Sequence, residues 1–237
     1  KIVIPEESKK FFSEKIINLP DTYYPTFNER KIANLSLKRE DLGIPKNAFV
    51  MCCFNNTYKI SPVEFEIWMR VLKQIENSFL ILLIDSSVAR ENLIKEAKKR
   101  NIQSSQIKFF NYIKIDEHLS RHKIADLYLD TFNYNGHTSV VDSLWAGVPV
   151  ISKIGNSFSA RVAASILTAI NMKKMITKNE IEYEKLILDI GSNIHLRNKI
   201  KFNLIKNIPI TSLFNTKNYV KNLEKEYKKI YTNYLNQ

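Results

Sequence analysis

The stretch Leu127-Tyr128-Leu129-Asp130-Thr131-Phe132-Asn133-Tyr134-Asn135-Gly136-His137-Thr138-Ser139-Val140-Val141-Asp142-Ser143-Leu144-Trp145-Ala146-Gly147-Val148-Pro149 decides how this chain is read. Its apolar opening, Leu127 to Asp130, predicts a buried strand. A polar turn with one Gly follows, then a helix from about Ser139 to Ala146. Gly147 and Pro149 stop that helix, and Val148 to Ser152 begins another strand. A strand running through a Gly-bearing turn into a helix leaves unpaired backbone N–H groups at the helix start. With the helix dipole they form an anion site. Asp142 falls one turn inside, roughly 5 Å along the axis from Ser139, within reach of a neighbouring hydroxyl. Phosphate at the helix mouth with a carboxylate on the ribose is how a doubly wound sheet holds a nucleotide. Ser139-x-x-Asp142 fits a helix capping box equally well, with Asp in place of Glu. On this stretch alone the capping reading stands at least level.

Outward from there the alternation repeats. Ala48 to Phe54 is short and apolar, as a buried parallel strand must be. Ser61-Pro62 supplies a cap and a first-turn proline for a helix to about Ile75, with Phe65, Trp68, Met69 and Leu72 on one face. Phe79 to Ile84, Ile107 to Phe110 and Leu127 to Asp130 read as further strands; Val88 to Arg100 and Asp116 to Lys123 read as helices. Five such alternations predict an α/β fold, a Rossmann-like parallel sheet with helices on both faces. Beyond it we expect a helix over Ser159–Ile170, a short strand over Lys174–Thr177, and helices near Glu180–Ile190, Asn193–Asn207 and Lys217–Leu235. The domain reading is a strap over 1–41, the sheet domain over 42–212 and a C-terminal helix over 213–237 packing back on it. The opening residue is Lys1 rather than Met, so we expect a piece of a longer protein.

Composition narrows the partners. The chain has 237 residues, 44% of them hydrophobic and 11% aromatic, which is a globular composition. No apolar run approaches the ~20 residues of a membrane span. Cys52 and Cys53 are adjacent in a strand and point to opposite faces, so they cannot bond to each other. No Cys/His spacing suits zinc, and a reducing cytoplasm is the expected compartment. The net charge of +12 invites nucleic acid, but the lysines are spread over the helices, without an Arg-rich arm or an aromatic–basic RNA motif. We expect neither a nucleic-acid nor a membrane partner.

Four separated motifs carry a resemblance. They are Phe54-Asn55-Asn56-Thr57-Tyr58-Lys59-Ile60-Ser61-Pro62, Asp130 to Pro149, Ser159-Ala160-Arg161-Val162-Ala163-Ala164-Ser165, and Leu213-Phe214-Asn215-Thr216-Lys217. In this order they resemble the C-terminal catalytic region of the O-GlcNAc transferases, glycosyltransferase family 41, from about Leu19 to the end. The resemblance implies the C-terminal, donor-binding lobe of a GT-B glycosyltransferase. An N-terminal catalytic lobe and helical repeats would lie upstream. It further implies a UDP-sugar donor, UDP-GlcNAc, and Ser or Thr hydroxyls of proteins as acceptors. Relatives using GDP-fucose, and a non-catalytic nucleotide-binding module, are the alternatives.

By the same resemblance Lys59 would contact the diphosphate and stabilise the leaving group, as the catalytic residue. His137, Thr138 and Ser139 would face the phosphates, Asp142 the ribose, His118 the uridine, and Arg121 the base. Asn56 stands where some members have Gln, and Ile115 where the family has a lysine near the base, with Lys114 one residue earlier. On its own residues the chain offers a plainer account of several of these. Lys59 could be a solvated lysine, His118 a surface histidine and, more readily, His122 another; Leu144 and Trp145 read as core, and Asn135 and Gly136 as turn chemistry. No Asp-x-Asp triplet occurs, so no metal is expected. No residue is named as general base.

Overall fold

Short apolar runs flanked by turns form the strands, and amphipathic runs between them form the helices. The fold, a computed structural model, describes residues 1–35 and 37–236. In chain order the elements are β1 (Phe49–Cys53), α1 (Pro62–Gln74), β2 (Ser78–Leu83), α2 (Ser87–Lys99), β3 (Ile107–Phe110), α3 (Ile115–Arg121), β4 (Leu127–Leu129), α4 (Thr138–Trp145), β5 (Val150–Lys153), α5 (Val162–Ala169), β6 (Ile176–Thr177), α6 (Glu180–Ser192), α7 (Ile194–Asn207) and α8 (Thr216–Leu235). The strands make one parallel sheet in the order β3-β2-β1-β4-β5-β6. From β1 the chain steps outward to β3, then returns to lay β4 on the other side of β1. That reversal opens a crevice between the loops after β1 and β4, where such sheets bind ligands. Helices α1, α6 and α7 pack together, as do α3, α4 and α5. Right-handed crossovers in opposite directions from β1 set two such groups on opposite faces.

Local chemistry matches the elements. All of β1 is buried, as are Phe65, Trp68, Met69 and Leu72 on α1. Pro62 opens α1, and Ser61 and Glu64 form a capping box, the Ser61 N–H donating to Glu64 Oε1 at 2.9 Å. Gly147 ends α4 in the left-handed region (φ 80°), which favours glycine. Its N–H bonds Leu144 O and the Val148 N–H bonds Ser143 O. Cys52 and Cys53 are both free and buried. Among the described residues no helix is long and apolar enough to cross a membrane.

Several boundaries differ from expectation. The 159–170 segment turns helical only at Val162, because Ser157 to Arg161 form successive tight turns instead. The strand expected over Lys174–Thr177 shrinks to β6, its first half being a 3-10 turn. Helix α8 rests on the 1–41 segment through its first turns, with Asn218 donating to Asp21 and the Tyr219 hydroxyl to Tyr23 O. Farther along, Tyr227, Tyr231 and Tyr234 stay exposed.

A buried polar cluster ties the ends of β1 and β4 together. The Asn55 amide donates to Asp130 Oδ1 (3.2 Å) and Thr131 Oγ1 (2.8 Å). Its oxygen accepts from the Tyr128 hydroxyl (3.0 Å) and from Ser139. Asp130, fully buried, also accepts from the Gly136 N–H and the Ser152 hydroxyl, both at 2.6 Å. A Cβ on Gly136 would sit 2.5 Å from Ser139 Oγ and 2.6 Å from Asn55 Oδ1, so only glycine fits this close approach.

Two expectations follow. A Cβ on Gly191 would meet Ile75 Cδ1 at 2.3 Å and Phe49 Cε1 at 2.8 Å. Gly191→Ala should therefore cost about 1–3 kcal/mol by overpacking, lowering the calorimetric melting temperature by about 2–10 °C. Burial pushes the Asp130 carboxyl up to about 7, against the hydrogen bonds that favour its charge. A carboxyl raised on folding stabilises fully below its unfolded value, near pH 4, and that contribution is lost as pH rises through about 7. Melting temperatures measured from pH 4 to 8 should fall more steeply for the native chain than for Asp130→Asn; parallel curves would contradict this.

Candidate functional site

The crevice at the β1/β4 reversal is a cleft of about 450 Å³. All eight residues singled out from the sequence line it: Asn56, Lys59, His118, Arg121, His137, Thr138, Ser139 and Asp142. Phe54, Asn55, Tyr112, Ile113, Ile115 and Tyr134 share the lining.

Lys59 comes from a single 3-10 turn, Thr57–Lys59, after β1. It is half-buried rather than solvated. Its ammonium donates to Asn135 O at 3.2 Å and lies 3.9 Å above the Tyr134 ring. Burial lowers its pKa, opposed by Tyr58 and Asp130. Tyr134 in turn stacks on His137, with ring centres 5.1 Å apart. Lysine, tyrosine and histidine thus form one layer across the two loops.

At the head of α4 the capping-box reading fails. The helix starts at Thr138, His137 occupies the cap position, and no side chain caps it. Ser139 lies inside the first turn and donates to Asn55 instead. The first N–H groups of α4 consequently have no side-chain acceptor. His137 Nε2 is buried without a hydrogen-bond partner among the described residues, and burial and Lys59 both lower its pKa. The turn before it is stapled by Asn135, whose amide donates to Thr131 O (2.8 Å) and accepts from the Ala163 N–H (3.2 Å).

Helix α3 supplies the opposite wall. The Arg121 guanidinium is buried over the Phe54 and Phe110 rings, donating to Asn111 O at 2.6 Å and to His118 Nδ1 at 3.0 Å. With Nδ1 accepting, His118 is the neutral tautomer carrying its proton on Nε2. Burial and Arg121 push its pKa down to about 4, so it stays neutral near pH 7. Arg121 lines the cleft with its guanidinium engaged by these two acceptors. His122 is no surface histidine. It is fully buried, its Nδ1–H donating to His118 O at 2.8 Å, and burial holds it down to about 3. On the rim the Asn56 amide accepts from the Tyr112 hydroxyl at 2.7 Å. Ile115 stands exposed there too.

Asp142 faces the cleft from α4, and Arg30 of the N-terminal strap lies 2.6 Å from its Oδ1. Burial raises the carboxyl's pKa and Arg30 opposes that. Sequence reasoning missed Arg30, Tyr24, Asn55, Asp130 and Tyr134. Asn55 sits in a quoted motif and Asp130 ends a strand at the ligand edge, so both were within reach. The strap residues Arg30 and Tyr24 sit 112 and 118 positions before Asp142, with no local pattern to mark them.

The chain matches the family model "Glycosyl transferase family 41" over residues 26–223. It is 32% identical over 237 residues to a probable UDP-N-acetylglucosamine–peptide N-acetylglucosaminyltransferase of Arabidopsis thaliana, covering 98% of this chain and 24% of that protein. It is 32% identical over 191 residues to a Caenorhabditis elegans UDP-N-acetylglucosamine–peptide N-acetylglucosaminyltransferase, covering 80% of this chain and 16% of that one. The chain thus spans a quarter or less of these curated relatives. A Thermobaculum terrenum O-GlcNAc transferase mutant superposes with a TM-score of 0.83 at 21% identity, over 97% of this chain and 43% of that structure. Its fold is that of a GT-B glycosyltransferase lobe. The match over 26–223 takes in both loops of the cleft, and this chain belongs to glycosyl transferase family 41.

Proposed function

We propose that this chain is the donor-binding lobe of an inverting protein O-glycosyltransferase, which moves GlcNAc from UDP-GlcNAc to Ser or Thr hydroxyls. The observation that carries the reading is the convergence of Lys59 and the uncapped head of α4 on one cleft at the sheet reversal. Family membership and the names of the relatives support the sugar and the acceptor class.

In this reading the diphosphate lies against the first N–H groups of α4, with Thr138 and the buried His137 beside it. Lys59 stabilises the negative charge that grows on the departing diphosphate. It can do so without a metal, since a lysine and a helix mouth supply positive potential from fixed groups. Asp142 accepts from the ribose hydroxyls, and His118 presents its Nε2–H towards the base. The Ile115 rim in place of a lysine leaves the base fewer polar contacts. The base that deprotonates the acceptor belongs to the upstream catalytic lobe or to the substrate. The two free, buried cysteines fit a cytoplasmic setting.

Titration calorimetry in EDTA should show UDP binding to the 237-residue chain, and no turnover by it alone. Lys59→Ala should weaken UDP by about 1.5–3 kcal/mol, roughly 10- to 150-fold. A requirement for magnesium would overturn the metal-free reading. Binding of GDP with none of UDP would overturn the sugar assignment in favour of GDP-fucose.

A further inference from the structure

The strap over residues 1–41 does more than precede the sheet. Near the cleft it is fastened to α4 at three levels. The Tyr24 and Thr138 hydroxyls hydrogen-bond at 2.7 Å at the helix head. Arg30 meets Asp142 one turn on, and the Trp145 indole N–H donates to Arg30 O at 3.1 Å at the helix end. Three residues later the Ala33 N–H bonds Asp116 O on α3 at 3.0 Å. Backbone contacts to both walls therefore set where the Arg30 guanidinium sits.

Asp142 has only 6% of its side chain exposed. A carboxylate so buried gives up its charge unless a cation compensates, and a protonated acid can accept fewer hydroxyl protons than a carboxylate. Arg30 Nη1 pairs with Oδ1 as a close ion pair, Oδ1 otherwise being buried without a hydrogen-bond partner, and no described residue hydrogen-bonds Oδ2. We propose that Arg30 is a positioning residue of the donor site, holding Asp142 as an oriented carboxylate whose free oxygen accepts from the vicinal hydroxyls of a ribose. This rests on the nucleotide reading above.

The other titratable or charged groups lining or bordering the cleft with Asp142 are Lys59 after β1, Tyr112 after β3, His118 and Arg121 on α3, His122 just past its end, Tyr134 and His137 before α4, and Tyr24 on the strap. All three histidines are lowered, two of them to about 4 and about 3. They act equally on ligands that differ only in the ribose hydroxyls. The ratio of affinities for UDP and 2′,3′-dideoxy-UDP therefore reports Asp142.

Measured by calorimetry at successively lower pH, that ratio should fall as Asp142 protonates. In Arg30→Gln the fall should move to higher pH, because the charge that opposes the effect of burial is gone. Arg30→Lys, which keeps the charge, should stay near the native midpoint. In Asp142→Asn the ratio should be small and flat, and adding Arg30→Gln should change it no further. Equal loss of both ligands in Arg30→Gln, with the midpoint unmoved, would overturn the inference and leave Arg30 a structural tie. A midpoint displaced as far in Arg30→Lys as in Arg30→Gln would overturn it also. If native UDP binding is absent, the nucleotide reading falls, and this inference with it.

Discussion

The Asn55 amide has two donors and two acceptor positions, and all four are filled, by Asp130, Thr131, Tyr128 and Ser139. The site depends on that one side chain. It joins the end of β1 to the end of β4 and to the first turn of α4, the three pieces that border the crevice. A buried amide left short of partners costs about 1–3 kcal/mol per group, so the network tolerates one arrangement of these loops. Ser139 lies inside the first turn of α4, its hydroxyl donating to Asn55, so it does not cap the helix. The helix mouth stays open to an anion because no side chain caps it.

The same economy governs charge. Of the cations lining or bordering the cleft, Arg121 is engaged by Asn111 O and His118, and Arg30 by Asp142. Lys59 is bound only to a neutral carbonyl and an aromatic face among the described residues. It is the cation whose partners a phosphate could most readily replace. Burial makes that exchange worth more. A unit-charge pair 4 Å apart gains about 1 kcal/mol in water but about 4 kcal/mol at the effective dielectric near a protein surface.

Most of the sheet was legible because its strands are short, apolar and separated by recognisable caps. Ser61-Pro62 and Gly147 fell where their chemistry predicts. The errors have physical causes. Ser139 carries the spacing of a capping residue, but α4 begins one residue earlier at Thr138, setting its hydroxyl against Asn55, 84 positions away. His122 sits among polar neighbours in sequence, yet α3 turns it inward against Phe54 and Tyr128. The eight residues named from the resemblance meet in one cleft because the loops after β1 and β4 and helix α3 after β3 converge at the same sheet edge. Arg30 and Tyr24 were invisible, since a strap has no periodicity to betray which of its side chains face inward.

That blind spot bears on how the site is assembled. A doubly wound sheet alone provides the helix mouth and the loop lysine, both of which recognise phosphate. Neither reads the rest of a nucleotide. Asp142, proposed above for the ribose, is a buried carboxyl whose pKa burial raises, and the cation that opposes this arrives on a segment outside the alternating strands and helices. The two walls that receive the strap, α3 and α4, also carry His118 and Asp142. On the proposed reading the strap therefore touches every part of the nucleotide site: Asp142 through Arg30, the α3 wall through Ala33, and the head of α4 through Tyr24 and Thr138. On that reading, displacing the strap would strip Asp142 of its compensating cation and also release the Thr138 hydroxyl at the helix mouth.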